Sequence, residues 1–280
     1  EKKCFHGILG IISSSFYINR TISQKDDLWL AIWKVNKDLA ELKSLGIDLF
    51  EYAVQQFKPK SISAIGIDES VTLLYKFMGF TIDRMKQWFI PNKINTQKNL
   101  IIGNIPDRKL TLSPKCYAMI LPKDKELNLN NFFSKKTVRE SFSYISTRYL
   151  KHPIFEYKII GIFNQINKLI AVCVGREVSI DDNKVFRLTE LIIDKSLTQD
   201  FKGAFDKFLQ LNMYEYVDFL EFGFDEKLLE GFGFEHNSEN LYVPHLFDPF
   251  VKRRKEVIIA YKSEDLFYCT KGDSDLDRPN

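Results

Sequence analysis

The 280-residue chain has four cysteines, Cys4, Cys116, Cys173 and Cys269, far apart and without a C-x-x-C pair. That spacing argues against a disulfide framework or a zinc knuckle, and no secretory leader is visible, so reduced thiols in the cytoplasm are expected. Only four histidines are present, and His236 and His245 show no ligand spacing with the remote Cys269, so no metal is expected. No apolar run approaches the ~18 residues of a membrane span. The longest, Gly7–Ile12 and Leu28–Trp33, have a strand's length. Charge of one sign is also missing: 40 Lys and Arg against 37 Asp and Glu leave a net charge of +3, mixed along the chain. A DNA partner is therefore not expected, because neutralising phosphates needs a concentrated basic stripe. Bulk is abundant, with 24 Phe, 12 Tyr and 45% apolar residues, which excludes a wholly disordered chain. The chain opens on Glu1 rather than Met and runs straight into apolar sequence. An N-terminal piece of the native protein is expected to precede it.

At about 150 residues per domain, the length suggests two domains. Strands are expected at Phe5–Ile12, Phe16–Ile18 and Leu28–Val35, the last a continuous apolar run suited to burial on both faces. Leu42, Leu45, Leu49, Tyr52 and Ala53 then recur at helical spacing, and Pro59 stops that helix. A strand at Ser61–Ile67 and a helix at Ser70–Met78 closed by Gly79 come next, with Phe80–Pro91 extended. Polar residues from Pro91 to Asn128 read as linker plus a short docking strand at Cys116–Leu121. The pattern then restarts: a helix at Thr137–Tyr149, strands at Tyr157–Phe163, Leu169–Glu177 and Val185–Ile193, a helix at Phe201–Leu211, and a strand at Tyr216–Phe222. A short helix ending at Gly231 and a strand at Val257–Tyr261 complete it. Asp68–Phe80 and Phe224–Phe234 share a pattern in which a strand runs into a short helix closing at Gly-Phe, which suggests one fold used twice.

Leu73-Leu74-Tyr75-Lys76-Phe77-Met78-Gly79-Phe80 resembles the Leu-Tyr-x-x-x-Gly-Phe end of the GNAT (N-acetyltransferase) fold. Leu28–Val35 stands where that family has its central strand. Lys43-Ser44-Leu45-Gly46-Ile47-Asp48 resembles its pyrophosphate motif, Q/R-x-x-G-x-G/A. Two departures stand out: Lys43 keeps a cation in place of Gln or Arg, while Asp48 puts a carboxylate where a small residue belongs. If the helix starts before Ser44, near Asn36 or Asp38, the motif match is accidental. The resemblance covers residues 5–90; residues 137–262 match in element order and in Gly231-Phe232-Gly233-Phe234. It implies an α/β (α+β) chain of two GNAT-like domains, each a mixed, mostly antiparallel sheet flanked by helices. The expected boundaries are residues 1–92 and 129–280, with residues 93–128 as linker and docking segment. The family's first strand and helices, which wall the acceptor site, would precede Glu1. Arg148–Tyr157, Arg176-Glu177, Arg187–Glu190 and Gly272–Asn280 further resemble segments of uncharacterised acyltransferases from bacterial surface-polysaccharide clusters.

The resemblance implies that a substrate amine attacks an acyl-CoA thioester, with acetyl-CoA or another acyl-CoA as co-substrate. Trp33, Lys34 and Val35 map to the strand end whose amides hold the oxyanion, and Lys43, Gly46 and Ile47 to the diphosphate loop. Tyr75 maps to the tyrosine that protonates the leaving thiolate, a task suited to a phenol that stays protonated at neutral pH. Unless the diphosphate loop is real, it reads as a core residue packing with Leu74 and Phe77. The base could be Asp26, Asp27 or Glu190. A carboxylate inside the apolar run Leu188–Ile193 needs a partner or a task, and Arg176 and Arg187 are candidate partners. Arg148 and His152, with Arg176 and Arg187, could read an anionic acceptor such as a nucleotide-linked amino sugar. His152-Pro153 also reads as a helix stop.

Asp273, Asp275 and Asp277 have the first spacings of a calcium loop but lack its glycine and its final Glu. A solvated acidic tail is expected, with a tail folded over a sugar or an Arg cluster as the alternative. Lys252–Lys255 reads as a solvated loop. The favoured function is acyl transfer to a small-molecule amine or nucleotide sugar. A non-catalytic binding protein on the same scaffold, or a transferase using aminoacyl-tRNA, are the alternatives, and the near-neutral charge argues against tRNA.

Overall fold

The computed structural model describes residues 5–19, 21–22, 26–36, 44–94, 99–103, 105, 114–122, 132, 141–193, 201–247 and 250–277. Lys43, and the start of the helix expected from Thr137, lie outside the described residues. The first stretch holds β1 (Gly7–Ser13), β2 (Asp27–Val35), α1 (Leu45–Phe57), β3 (Ser61–Ile67), α2 (Thr72–Phe77) and β4 (Thr81–Arg84). Then come β5 (Lys86–Pro91), β6 (Ile102–Gly103), β7 (Cys116–Ile120) and α3 (Phe142–Ile145), which continues as a π-helical turn to Leu150. The long strands β8 (Tyr157–Asn164), β9 (Leu169–Ile180) and β10 (Asn183–Ile193) precede α4 (Asp206–Asn212), β11 (Tyr216–Phe222) and α5 (Glu226–Phe232). The chain finishes with β12 (Glu235–His236), β13 (Leu241–Tyr242), β14 (Ile258–Ser263) and β15 (Cys269–Thr270).

Two compact units result: residues 1–84 with 257–267 and 273–276, and residues 85–256 with 268–272 and 277–280. The first unit's sheet runs β1-β2-β3-β14-β4, and the second's β12-β5-β11-β10-β9-β8-β7 with β15 beside β11. Among the described residues only β2–β3 and β10–β11 are parallel pairs; the other pairings are antiparallel. Both sheets thus share one motif. A parallel pair is followed by two antiparallel strands, as β2-β3-β14-β4 in one and β10-β11-β5-β12 in the other. The third strand of each motif comes from the other half of the sequence: β5 follows β4 directly yet joins β11, while β14 returns to β3. The strands therefore distribute differently from the contiguous halves expected from the sequence. Apolar alternation marks a segment as a strand but does not say which sheet edge will accept it.

The first core forms between sheet and helices, with Leu28, Leu30, Phe50, Ile62, Tyr75 and Phe80 buried together. Helix α1 turns Phe50 and Ala53 inward and leaves Tyr52 65% exposed, so Tyr52 is not the core position its spacing suggested. The helix ends where Lys58 takes a left-handed conformation and returns its N–H to Val54 O, one residue before Pro59. The expected strand Phe16–Ile18 is a 3-10 turn, Ser14–Ile18, because Ser13 caps it and Asn19 at φ 53° closes it. In the second unit, β8–β10 are buried on both faces. The helix expected from Phe201 begins only at Asp206, after Gly203 at φ 83°. Helix α5 runs through Gly231 and ends at Gly233, φ 89°.

Candidate active site

In the first unit the parallel ladder is short. Asp27, Leu28 and Trp29 lie opposite Ser61, Ile62 and Ser63, and there pairing stops. Strand β2 continues to Val35, held on its other edge by β1. From Leu30 onward its β3-facing backbone has no strand partner among the described residues. The two strands splay, and the burial of β2 changes with them: Leu28–Leu30 are enclosed, and from Ala31 on no residue is fully buried. Asp26 and Asp27, weighed as bases, sit at the closed end of this ladder, where Ser61 Oγ donates to Asp27 Oδ1 at 2.5 Å. That position puts them at the opposite end of β2 from Trp33–Val35.

Helix α1 starts at Leu45, so Gly46 and Ile47 fall in its first turn. Ser44 Oγ donates to Asp48 Oδ2 at 2.9 Å and so does not cap the helix. The amides of Leu45, Gly46 and Ile47 have no acceptor among the described residues. Such amides, with the positive end of the helix dipole, form an anion cradle. The Trp33 indole leans over it: its Nε1 donates to Gly46 O at 3.1 Å, and the ring stacks on Phe50 at 5.9 Å. A Cβ on Gly46 would meet Trp33 Nε1 at 3.3 Å, so this glycine also admits the indole. Tyr75 meets the same indole edge-on at 5.8 Å and is only 5% exposed. Burial raises its phenol pKa from 10.0 to about 12. Its hydroxyl makes no hydrogen bond among the described residues. Trp33, exposed Lys34 and half-buried Val35 also line an apolar cavity of about 980 Å³ between β1 and α1.

The second unit repeats the splay. Phe186, Arg187 and Leu188 lie opposite Val217, Asp218 and Phe219, and the ladder ends there. A bulge against β9 comes next, between Leu188 and Glu190. This gap is occupied by the chain itself, since β15 pairs with β11 at Glu221 and Phe222. Four of the residues read from the sequence gather around that segment. Arg148 Nε donates to Gly272 O at 2.9 Å. Arg176 makes a two-point contact with Asp277, at 3.0 and 3.1 Å. Glu190 Oε1 accepts from Tyr149 Oη at 2.9 Å, and that hydroxyl also lies 3.4 Å from Gly272 O. Arg187, its side chain 3% exposed, pairs with Asp218 at 3.3 Å and donates to His245 O at 2.7 Å. His152 works differently: its Nδ1 accepts from the amides of Ile154 and Phe155, and burial and Arg148 hold its pKa below the ordinary value. It thus organises the turn after Pro153.

The described part of the tail is not a solvated one: Asp273 and Ser274 are 1% and 2% exposed. The Asp277 side chain is 4% exposed; burial pushes its carboxyl up, but Arg176 outweighs this and holds it below the usual range. Sequence reasoning missed Tyr149, Thr270, Lys271 and Gly272 as members of this cluster. A glycine entering an otherwise charged tail was the available signal. Among the described residues no group of His, Cys, Asp or Glu is placed to hold a metal, and no helix is long and apolar enough to cross a membrane.

The sequence matches no protein-family profile and no curated protein. The structure is similar to a GCN5-related N-acetyltransferase from Anabaena variabilis, with a TM-score of 0.50 and 9% identity over 90% of this chain and 58% of that one. It is also similar to a tandem GNAT protein from the clavulanic acid biosynthesis pathway, at a TM-score of 0.47 and 8% identity, covering 92% and 78% of the two chains. Yeast (Saccharomyces cerevisiae) N-myristoyltransferase with bound myristoyl-CoA gives 0.44 and 8%, covering 94% and 63%. The likeness to the Anabaena protein shows the fold alone, a GNAT architecture: mixed α/β, with mostly antiparallel sheets flanked by helices.

Proposed function

We propose that the protein is an acyl-CoA-dependent N-acyltransferase whose first half binds the coenzyme, and whose acceptor is an amino sugar or nucleotide-linked amino sugar used in surface-glycan assembly. The observation that carries the reading is the β2–β3 splay leading into the open first turn of α1. The splay offers a pantetheine arm strand amides that have no strand partner among the described residues, and the helix start offers amides to a diphosphate. In the reaction, the acceptor nitrogen attacks the thioester carbonyl carbon and the C–S bond breaks. Amides at Trp33–Val35 receive the oxyanion; as it collapses, the departing sulfur takes the Tyr75 proton, and the resulting phenolate takes the proton that the acylated nitrogen gives up. The acceptor class rests on the sequence resemblance of Arg148–Tyr157 and the tail.

Two observations favour a second reading, a binding protein without catalysis. The Trp33 indole lies against both Gly46 and Tyr75, and Asp48 stands in the first turn of α1. Isothermal titration with acetyl-CoA separates them from the outset. One site per chain with release of CoA in the presence of amino sugars is expected. Absence of heat and of thermal protection overturns the coenzyme assignment, and binding without turnover favours the second reading.

A further inference from the structure

On the β1 side of the first unit, strand and helix run side by side. A Cβ on Gly7 would meet methyls of Leu49 and Leu45 at 3.1 and 3.2 Å, and further along Ile11 and Phe57 line the same cavity of about 980 Å³. The walls are apolar: Leu9 and Ile11 from β1, Leu49, Ala53 and Phe57 from α1, and Val35 from β2. All of these except Ala53 keep part of their surface open to water. Apolar surface left wet in this way gains free energy by meeting another apolar body. The volume lies within the roughly 300–1,000 Å³ of ordinary ligand sites.

Length and charge define the occupant. Gly7 to Ile11 is four strand steps and Leu49 to Phe57 eight helical ones, and each run spans about 12–14 Å. An extended hydrocarbon rises roughly 1.3 Å per carbon, so that length takes about ten carbons. Among the described residues that line the cavity none is acidic, and the basic ones are Lys34 and His6. Both are exposed and both stand at one end: Lys34 pairs with Ile8 across the β1–β2 ladder, and His6 O accepts from the Asn36 amide at 2.7 Å. Lys34 has no ion pair among the described residues. An apolar trough with cations at one end matches a chain that carries a single anionic head.

We propose that this cavity binds a free fatty carboxylate of about ten to twelve carbons, its chain between β1 and α1 and its carboxylate at Lys34 and His6. The inference goes beyond the proposed function. The coenzyme was placed on the β3-facing edge of β2 and at the first turn of α1, whereas this site lies on the β1 side of the same strand.

The test is methyl NMR of the full chain titrated with octanoate, decanoate, dodecanoate and hexadecanoate. Shifts are expected at Leu9, Ile11 and Leu49, with affinity rising about fourfold per methylene and levelling beyond about ten to twelve carbons. No shift at these methyls with dodecanoate overturns the proposal, and so does a rise that continues undiminished through hexadecanoate, which marks association with open surface. Lys34→Gln is expected to weaken dodecanoate about fivefold and to leave dodecanol unchanged; an equal effect on both overturns the head-group assignment. Ala53→Trp, which fills the trough, should abolish the shifts, and a folded variant that binds like the parent overturns the site. Should that variant not fold, the chain-length series in the parent decides. Dodecanoyl-CoA shifting these methyls where dodecanoate does not assigns the cavity to a coenzyme's acyl group and overturns the proposal. A sedimenting dimer that buries the same methyls overturns it in favour of a second copy of the chain. Titration with coenzyme A, which has no acyl chain, reads the α1 cradle by itself, so failure of the proposed function is seen apart from failure here.

Discussion

Replacing Arg187 by methionine is expected to destabilise the protein by about 3–5 kcal/mol, the usual cost of breaking a buried ion pair from one side. The Arg187 and Asp218 side chains are 3% and 1% exposed, and the pair is reinforced by His245 O and by the Phe247 ring, 4.6 Å from the guanidinium. Methionine preserves much of the apolar reach over Phe247 but leaves the Asp218 carboxylate with the neutral amide of Gln87, Nε2 at 3.2 Å, in place of a cation. Removing both charges together, as Arg187→Met with Asp218→Leu, is expected to recover most of the loss, because no unpaired charge remains. Urea unfolding followed by fluorescence reads this directly: with a slope of about 2–3 kcal/mol per molar, the single variant shifts the midpoint down by roughly 1–2 M. A single variant within about 1 kcal/mol of the parent, or no recovery in the double variant, refutes the reasoning. If Arg187 instead read an anionic acceptor, the single variant would unfold like the parent and lose acceptor binding.

Tyr75→Phe is expected to lower kcat about 100-fold or more while acetyl-CoA affinity holds, because in the proposed reaction the hydroxyl gives up a proton, and it makes no hydrogen bond among the described residues. Steady-state kinetics with a thermal melt checks it, and a loss of stability above about 1 kcal/mol would make the residue structural. His245 supplies a pH signature. Burial, then Lys271 and Arg187, hold its pKa well below 6.5, so the folded state favours the neutral ring. Its contribution is complete above pH 6.5 and is lost as pH falls towards the depressed value, at up to about 1.4 kcal/mol per pH unit. Melts of the parent and His245→Gln between pH 7.5 and 5 should converge in slope if another group is responsible, and diverge otherwise.

Strand positions were largely legible, because Leu28–Val35, Ser61–Ile67 and Tyr216–Phe222 are dense apolar runs bounded by polar or turn-forming residues. Local chemistry overrode that signal at Phe16–Ile18, where β-prone side chains sit in a turn fixed by the Ser13 Oγ–Ser15 N–H bond, 3.3 Å, and by Asn19. Gly231 and Gly233 were confused for a related reason: only Gly233 takes the left-handed backbone that ends the helix. The tail was beyond local reading. Its burial depends on Arg148, Tyr157 and Arg176, which precede their tail partners by 124, 120 and 101 positions. The four basic residues singled out from sequence were chosen for an external anion. Three of them hold parts of the chain itself, because a buried guanidinium is satisfied by whatever carbonyl or carboxylate the fold brings within reach.

The two splays differ in the segment that succeeds their first strand, and the difference predicts how each would hold a coenzyme. After β2, helix α1 begins with half-buried Leu45, Gly46 and Ile47 and with exposed Asp48. Before α4, Phe201, Ala204 and Phe205 are each 1% exposed, and Phe201 stacks on Phe232 at 4.1 Å, so that approach is sealed by aromatic packing. Among the described residues, a diphosphate would find a half-buried first helical turn at α1 and a packed one before α4. If the proposed cradle at α1 binds the coenzyme, acetyl-CoA should outbind S-acetylpantetheine strongly there. Asp48→Asn isolates the electrostatic part: removing a carboxylate from the turn that faces the diphosphate is worth about 0.5–1 kcal/mol, a two- to fivefold tightening for acetyl-CoA. The same variant should leave S-acetylpantetheine unaffected. Equal tightening of both ligands would mean that Asp48 acts on the strand end or on Trp33 and not on phosphate, and the cradle at α1 would have to be abandoned.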